Sequence, residues 1–282
     1  RFKNKSNIEI KFQSILGGEY NRRKFYLKKI FKFSSVLCLG NVPPPIKLKL
    51  PVLIYFHNEL LLDSSKSNLN FKQKIISKLK FYYIKHKSYK NYKWAVQTKR
   101  IEEILIRKLT LHKKNVSLYP IFEEKKIEKQ KKEKNSFLNV SNSLPHKNLN
   151  NFLLAFVNFM KNTRINAVLH LTYLKKDLDI SLNEIPKNLK IHWHGKIDKE
   201  RLDKIYSKIE FFVFPSLKES FGLPLIEAAQ KQCTIIASDL PYVHEIIEPS
   251  IVFNPNNQES ISKALNLAVK SKRIKHSKIK VK

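Results

Sequence analysis

Apolar residues along this chain occur in short runs separated by segments with helical spacing. That spacing is clearest in residues 71–89 and 101–109, where apolar positions recur every three or four residues. Strands that alternate with helices in this way indicate parallel sheets in a doubly wound α/β fold. The runs that predict strands lie at residues 8–12, 36–39, 51–56, 94–98, 116–119, 136–140, 168–171, 189–193, 211–214, 234–237 and 251–253.

A charged segment separates the two halves of this pattern. Residues 123–134 are almost all Lys, Glu and Gln and carry no apolar stripe, so they predict an exposed connection. No internal repeat relates the two halves. The organisation we predict is an N-terminal Rossmann-like domain at 1–120, a linker at 121–135, a C-terminal Rossmann-like domain at 136–270 and a basic, fraying tail at 271–282.

The most informative stretch follows the strand predicted at residues 211–214. Gly222 suits a tight turn, and Pro224 suits the first position of a helix, where a missing N–H costs nothing. The free amides at the start of that helix form an anion site. Glu219 and Glu227 frame this site, eight positions apart. By residue type alone, a purely structural interpretation, with one glutamate as a helix cap and the other as a solvated loop residue, is as good as a functional one.

The same stretch resembles the signature of a known enzyme family. Residues 219–227 read ESFGLPLIE, which is similar to the Glu-x7-Glu motif of family 4 retaining glycosyltransferases. The likeness continues through Ala228, residues 235–239, Pro241 and Glu245. The resemblance implies the B-type fold, in which two Rossmann-like domains face each other across a cleft.

The resemblance also implies roles for the residues of this motif. Glu219 would contact the hydroxyls of the donor sugar, and Glu227 would hold the ribose of the nucleotide. The segment that binds the rest of the donor, with amides facing the diphosphate or sugar, comprises Ser220, Phe221, Gly222 and Leu223.

Two residues outside the motif complete the predicted site. His57 directly follows the strand at 51–56, and ligands bind at the carboxyl ends of strands in open α/β sheets. Alone, it is more often structural; the resemblance implies that it approaches the donor sugar. Lys147 lies in the loop before a predicted helix, where family members carry a Lys that neutralises the diphosphate. Asn142 stands where many relatives have an Arg, so one phosphate cation is missing or supplied elsewhere.

The activity implied is a metal-independent, cofactor-free retaining transfer of a hexosyl group from a nucleotide-sugar to a hydroxyl acceptor. The acceptor would be a cell-surface or lipid-linked saccharide, made in lipopolysaccharide or polysaccharide biosynthesis. Such an enzyme is cytoplasmic and works at the inner face of the plasma membrane. The first domain is expected to be incomplete, because the family's first strand and glycine-bearing loop have no counterpart, and Gly17-Gly18 is a poor substitute.

Two alternatives to this enzyme remain, one raised by the composition and one by the incomplete first domain. The net charge of +32 favours a nucleic-acid-binding protein, but only 8 of the 55 basic residues are Arg, the residue that reads bases and phosphates best. We therefore expect no nucleic-acid partner. A basic face would instead gain about 1 kcal/mol per Lys at an anionic membrane, although the Lys-rich helix at 71–89 also suits a solvated surface. The second alternative is a catalytically inactive fragment that only binds nucleotide.

The cysteines and the apparent metal motifs add little to the prediction of function. Cys38 and Cys233 lie in apolar runs and are expected to be buried free thiols. Asp177 and Asp179 have the spacing of a carboxylate pair, and residues 192 and 194 are histidines on one strand face. Neither pair has the companions that a metal site requires, so no metal is predicted. No apolar run reaches the ~18 residues of a membrane span.

Overall fold

The computed structural model describes residues 18–62, 71–123, 131–178, 180, 184–271 and 274–281. The strand predicted at 8–12 lies outside these residues. Within them the chain forms two all-parallel sheets and one short antiparallel pair. The predicted α/β class with parallel sheets is confirmed.

The first sheet has the strand order β1-β2-β3-β4. Its strands are β1 (Val36–Cys38), β2 (Val52–Phe56), β3 (Lys93–Val96) and β4 (Val116–Leu118). The helices of this half are α1 (Gly18–Lys29), α2 (Phe71–His86) and α3 (Lys99–Leu109). The strand predicted at 94–98 ends early because Thr98 caps α3, accepting a hydrogen bond from Ile101 N–H at 3.3 Å.

The second sheet has the strand order β11-β9-β8-β5-β6-β7. Its strands are β5 (Glu133–Asn139), β6 (Ala167–Leu171), β7 (Leu189–Trp193), β8 (Ile209–Phe214), β9 (Thr234–Ser238) and β11 (Ile251–Phe253). The helices are α4 (Leu149–Lys161), α5 (Lys199–Lys208), α6 (Leu223–Gln230), α7 (Pro241–Ile246) and α8 (Gln258–Lys270). Numbered by its own strands from the β7 edge, this sheet reads 3-2-1-4-5-6, the order of a dinucleotide-binding sheet.

The centre of the second sheet positions the candidate site. β5 and β8 lie side by side, with Phe137 opposite Phe211, yet the chain leaves them toward opposite edges of the sheet. Separate buried clusters cover the two faces: Phe137 and Phe211 belong to one, Phe212 and Phe214 to the other. Since ligands bind where the strand order reverses, the carboxyl ends of β5 and β8 are the expected binding edge.

The C-terminal tail was predicted to fray, but its described residues include a paired strand. β12 (Lys278–Ile279) pairs antiparallel with β10 (Ile247–Glu248), and Lys280 N–H donates to the carbonyl of Ile246 at 2.8 Å. Ile279 and Val281 pack against the cluster that contains Phe212. These two apolar side chains, spaced two apart, anchor a segment whose basic composition alone suggested solvent. The prediction that Cys38 and Cys233 are buried free thiols is confirmed.

Candidate active site

Two loops meet at the carboxyl ends of β5 and β8. The first carries a 3-10 turn at Pro145–Lys147, and the second runs from the end of β8 into α6. Leu217 N–H donates to the carbonyl of His146 at 2.8 Å and ties the loops together. Lys147 and Glu219 therefore meet, with Nζ 2.6 Å from Oε1, and their side chains are only 16% and 13% exposed. Both were predicted site residues, and 72 positions separate them along the chain.

The turn before α6 has the geometry that its sequence predicts. Gly222 adopts φ 75° and ψ 48°, the left-handed region, and caps the helix with Pro224 in the first turn. A Cβ on this glycine would lie 3.2 Å from Leu225 Cδ1. Phe221 is buried and packs against Phe122, with ring centroids 6.2 Å apart, so its side chain anchors the loop. Because the phenyl ring is buried, Phe221 can contact a ligand mainly through its backbone.

A cleft of 440 Å³ lies between the two sheets. Its lining includes every predicted site residue except Lys147 and Glu227. The first half contributes Tyr55, His57 and Gln97, which follow or end β2 and β3, and the second half contributes residues 219–224. The structure thus places His57 and Glu219 on one cavity. Their loops contact each other directly, because Glu59 N–H donates to Ser220 Oγ, a residue 161 positions away.

Asn41 fixes the position of His57 through a hydrogen bond to its backbone. The N–H of His57 donates to Asn41 Oδ1 at 2.6 Å, and the Nε2 of His57 lies 3.3 Å from Asn41 Nδ2. Asn41 is itself buried and adopts a left-handed φ of 64°. The imidazole is exposed at the mouth of the cleft. This arrangement leaves the other edge of the imidazole ring free of the Asn41 contacts.

Glu227 lies on α6 and is partly buried. Burial raises the pKa of Tyr206 well above its usual range, and the negative charge of Glu227 and a hydrogen bond to it raise that pKa further. Tyr206 is buried beneath α6. Its hydroxyl stays protonated, so it remains a hydrogen-bond donor beside the Glu227 carboxylate, and it donates to the carbonyl of Pro224 at 3.4 Å.

The loop between β5 and α4 is only partly cationic. Asn142 uses its Oδ1 to accept from Leu144 N–H at 3.4 Å, so it shapes the loop. Burial, and then the charge of Lys147, lower the pKa of His146, which keeps that imidazole neutral near neutral pH. Lys147 is therefore the cation that this loop contributes.

Sequence reasoning missed Arg100 and Glu59. Arg100 lies in the first turn of α3 and donates from Nη2 to the carbonyl of Glu219 at 2.8 Å, while its Nη1 lies 2.6 Å from Glu59 Oε1. Arg100 lies 119 positions from Glu219. No local spacing signals a contact at that separation, so only the fold reveals it.

The apparent metal motifs have structural roles. Asp177 Oδ2 accepts a hydrogen bond from Leu174 N–H at 3.0 Å, and Asp179 lies outside the described residues. His192 and His194 stack with rings inclined by 17°, and His170 Nδ1 lies 3.0 Å from His194 Nε2. Over the described ranges, no group of three or more His, Cys, Asp or Glu could hold a metal ion. Among the helices described, none is long and apolar enough to cross a membrane.

The chain is similar to bacterial polysaccharide enzymes. It is 32% identical over 145 residues to the O-antigen chain mannosyltransferase RfbU of Salmonella typhimurium, an alignment that covers 48% of this chain and 39% of that protein. It is 34% identical over 142 residues to the capsular polysaccharide biosynthesis glycosyltransferase CapH of Staphylococcus aureus, with the same coverage of both chains. The chain thus spans about two fifths of the length of these curated relatives.

Solved structures share the fold at low identity. The sucrose-phosphate synthase of Thermosynechococcus elongatus superposes with a TM-score of 0.65 and 14% identity, over 93% of this chain and 72% of that one. The predicted two-domain B-type fold is confirmed by such neighbours. Residues 120–280, more than half of the chain, match the model of the glycosyl transferases group 1. The protein belongs to the glycosyl transferases group 1 family.

Proposed function

We propose that the protein transfers a hexosyl group from a nucleotide-sugar to a saccharide hydroxyl, with retention of anomeric configuration. The observation that carries this proposal is the Lys147–Glu219 pair, 2.6 Å apart where the strand order of a dinucleotide-binding sheet reverses. A cation and a sugar-binding carboxylate at that edge suit the two halves of the donor. Family membership supports the reaction class.

The residues act mainly on the leaving group. Lys147 and the amides that open α6 at Gly222 offset the charge that grows on the departing diphosphate. Glu219 and His57 hold the sugar in its reactive orientation. The acceptor oxygen bonds to the anomeric carbon as the bond to the diphosphate breaks, on the same face, and the leaving phosphate oxygen takes the acceptor proton. No enzyme carboxylate is needed as nucleophile.

The names of the relatives suggest the substrates. One acts in O-antigen chains as a mannosyltransferase and another in capsular polysaccharide biosynthesis. We therefore propose a growing surface polysaccharide or its lipid-linked precursor as acceptor. GDP-mannose is the first donor to test.

The surface of α1 and α2 supports work at a membrane. α2 carries five lysines and no acidic residue. The apolar side chains of α2 that are exposed follow one stripe: Phe71, Ile75, Ile76, Leu79 and Tyr82. The exposed apolar side chains of α1 and the turn after it are Tyr20, Leu27 and Phe31. The Tyr83 hydroxyl donates to Glu19 and joins the two helices.

Basic charge and exposed aromatic rings on one face are typical of proteins that lie in a membrane interface. A groove of 500 Å³ beside α2, lined by Leu61, Ile75 and Phe81 together with Lys74 and Lys78, suits an apolar chain with an anionic head. We propose that this face, defined as the α1–α2 face, rests on anionic lipid of the cytoplasmic leaflet. A lipid-linked acceptor would then reach the cleft from the bilayer.

The reaction is tested by incubating the protein with GDP-mannose, UDP-glucose or UDP-N-acetylglucosamine and a lipid-linked oligosaccharide. Release of nucleoside diphosphate, with an α-linked product by NMR, supports the proposal. The variant Lys147→Met should lower this release. Its matched control is Lys161→Met, because Lys161 is an exposed lysine whose partner is the exposed Glu184. Diphosphate binding without product from any donor identifies a nucleotide-binding fragment.

A further inference from the structure

A cluster of charged residues joins the two halves of the molecule beside the cleft. Glu59 follows β2, and Arg100 lies in the first turn of α3. Lys218 and Glu245 come from the second half. Two carboxylates thus meet two cations. Glu59 and Lys218 are buried, and Arg100 is mostly buried.

We propose that Arg100 is a positioning residue that couples contact between the two halves to the placement of Glu219, an inference that rests on the proposed function. The guanidinium makes two contacts in different halves: Nη1 lies 2.6 Å from Glu59 Oε1, and Nη2 donates to the Glu219 carbonyl at 2.8 Å. The planar fork of Arg makes both contacts at once, which a lysine ammonium does less well.

The contacts converge on the loop that carries Glu219. Glu59 N–H donates to Ser220 Oγ at 2.8 Å, and Lys218 Nζ lies 3.5 Å from Glu59 Oε1. Residues 218, 219 and 220 are therefore each held by a group of the first half. The Glu219 side chain emerges from this fixed backbone toward Lys147. Separation of the halves would release all three contacts and free the loop.

Arg100 also contacts the carboxylate of Glu245. Its own backbone N–H donates to Glu245 Oε1 at 2.9 Å, and its Nε lies 3.6 Å from Glu245 Oε2. Glu245 thus accepts from one free amide at the start of α3, where a negative charge is favoured. This contact aligns the helix of one half with α7 of the other.

The cluster is incompletely satisfied, which suits reversible contact. In the part of the chain that is described, Glu59 Oε2 and Arg100 Nε are buried without a hydrogen-bond partner. Buried charges that lack part of their hydrogen bonding retain a desolvation cost. Water regains these atoms when the halves separate, so the cluster defines the closed geometry without locking it. Domain closure of this kind is how such clefts exclude water and complete a site.

Four variants test the proposal: Arg100→Gln, Arg100→Lys, Glu59→Gln, and Arg107→Gln as a matched control. Arg107 is on the same helix and exposed. Steady-state kinetics with the best donor gives kcat and KM, and calorimetry with GDP and UDP gives diphosphate affinity. Small-angle scattering of each variant without ligand gives the radius of gyration.

For Arg100→Gln we expect kcat to fall on the order of 10- to 100-fold, as for a displaced positioning contact. Diphosphate affinity should change less than about threefold, because the groups proposed to bind the diphosphate lie in the second half. The radius of gyration should increase. Arg100→Lys should fall between wild type and Arg100→Gln, and Arg107→Gln should match wild type.

A kcat for Arg100→Gln equal to that of Arg107→Gln, or an unchanged radius of gyration, would overturn the proposal. Parallel loss of diphosphate affinity and thermal stability, with kcat unchanged per folded molecule, would also overturn it, since that indicates a structural role. If wild type turns over no donor, the proposed function fails separately. Scattering of Arg100→Gln and Glu59→Gln still decides whether Arg100 holds the halves together.

Discussion

The Lys147 ammonium and the Glu219 carboxylate form an ion pair, 2.6 Å apart, at the point where the second sheet reverses its strand order. Each charge neutralises the other while no donor is bound. In the proposed function, a nucleotide-sugar brings two phosphates for the lysine and hydroxyls for the carboxylate. Donor binding would then exchange one internal ion pair for two contacts to the ligand, and we expect substitutions of the two residues to change diphosphate affinity in opposite directions.

Substitution of the two partners tests this exchange. Lys147→Met should weaken the binding of free nucleoside diphosphate by about 10- to 100-fold, the loss expected for one charge-assisted contact. Glu219→Gln should tighten it severalfold, because the lysine loses its competitor, while turnover falls. Calorimetry on both variants, with Lys161→Met as control, measures the effect. Weaker diphosphate binding in Glu219→Gln would show that the pair does not compete with phosphate.

Gly222→Ala should destabilise the protein by about 1–2 kcal/mol, because an L side chain is strained in the left-handed region. The new Cβ would also press on Leu225 Cδ1 at 3.2 Å. Gly40→Ala is the matched control, since a Cβ there meets nothing within 4 Å and its φ is not positive. Urea denaturation compares the variants. Equal midpoints for the two would contradict the reading of Gly222 as a conformational requirement.

Three stacked histidines should make the second half sensitive to acid. Burial, and then the charges of His192 and His194, lower the pKa of His170 to about 4 from the ordinary 6.5. Burial, then Arg201 and His192, also lower the pKa of His194. The unfolded chain therefore takes up protons that the folded chain resists, and stability falls as the pH drops from 6.5 toward 4.

This acid sensitivity is measured as the urea midpoint at pH 7.5 and pH 5.0. His170→Asn should lose less stability between these values than wild type, because one neutral histidine is removed. His276→Asn, at an exposed histidine, should behave as wild type. If His170→Asn shows the full wild-type loss, the stacked histidines do not cause the sensitivity.

The α1–α2 face should bind anionic membranes. Phe71→Ser together with Leu79→Ser should lower co-sedimentation with vesicles of phosphatidylglycerol and phosphatidylcholine, since both side chains are exposed on one stripe of α2. Binding should fall with salt because lysines contribute. Leu267→Ser, an exposed leucine of α8, is the control. Equal sedimentation of the double variant and wild type, or binding to neutral vesicles alone, would contradict the proposal.

The sequence predicted those elements that depend on interactions between residues close together in the chain. The apolar run at 211–214 predicts the strand, Gly222 predicts the turn, and Pro224 predicts the start of the helix. The structure has all three, with the helix beginning one residue earlier, at Leu223. The Lys147–Glu219 contact could be expected only through a family resemblance, because 72 positions separate the two residues.

Long-range polar contacts could not be predicted. Arg100 and Glu59 appear in the sequence as one of many cations and one loop acid, and only the packing of one half on the other gives them partners. The stacking of His170 on residues 192 and 194 depends on the register of β6 and β7, which places His170 opposite His192. The pairing of β12 depends on an exposed edge at β10, which composition does not reveal.

The central claim is most directly tested by calorimetric titration of UDP, GDP, dTDP and CMP into wild type, Glu227→Ala and Glu259→Ala. Glu259 is a solvent-exposed glutamate of α8 paired with Lys263, which makes it a control of equal charge. We predict selective binding of one diphosphate, lost in Glu227→Ala and retained in Glu259→Ala. Weak binding of all four nucleotides that decreases with salt and is unchanged by both substitutions would indicate only a basic surface, and would contradict the predicted donor site.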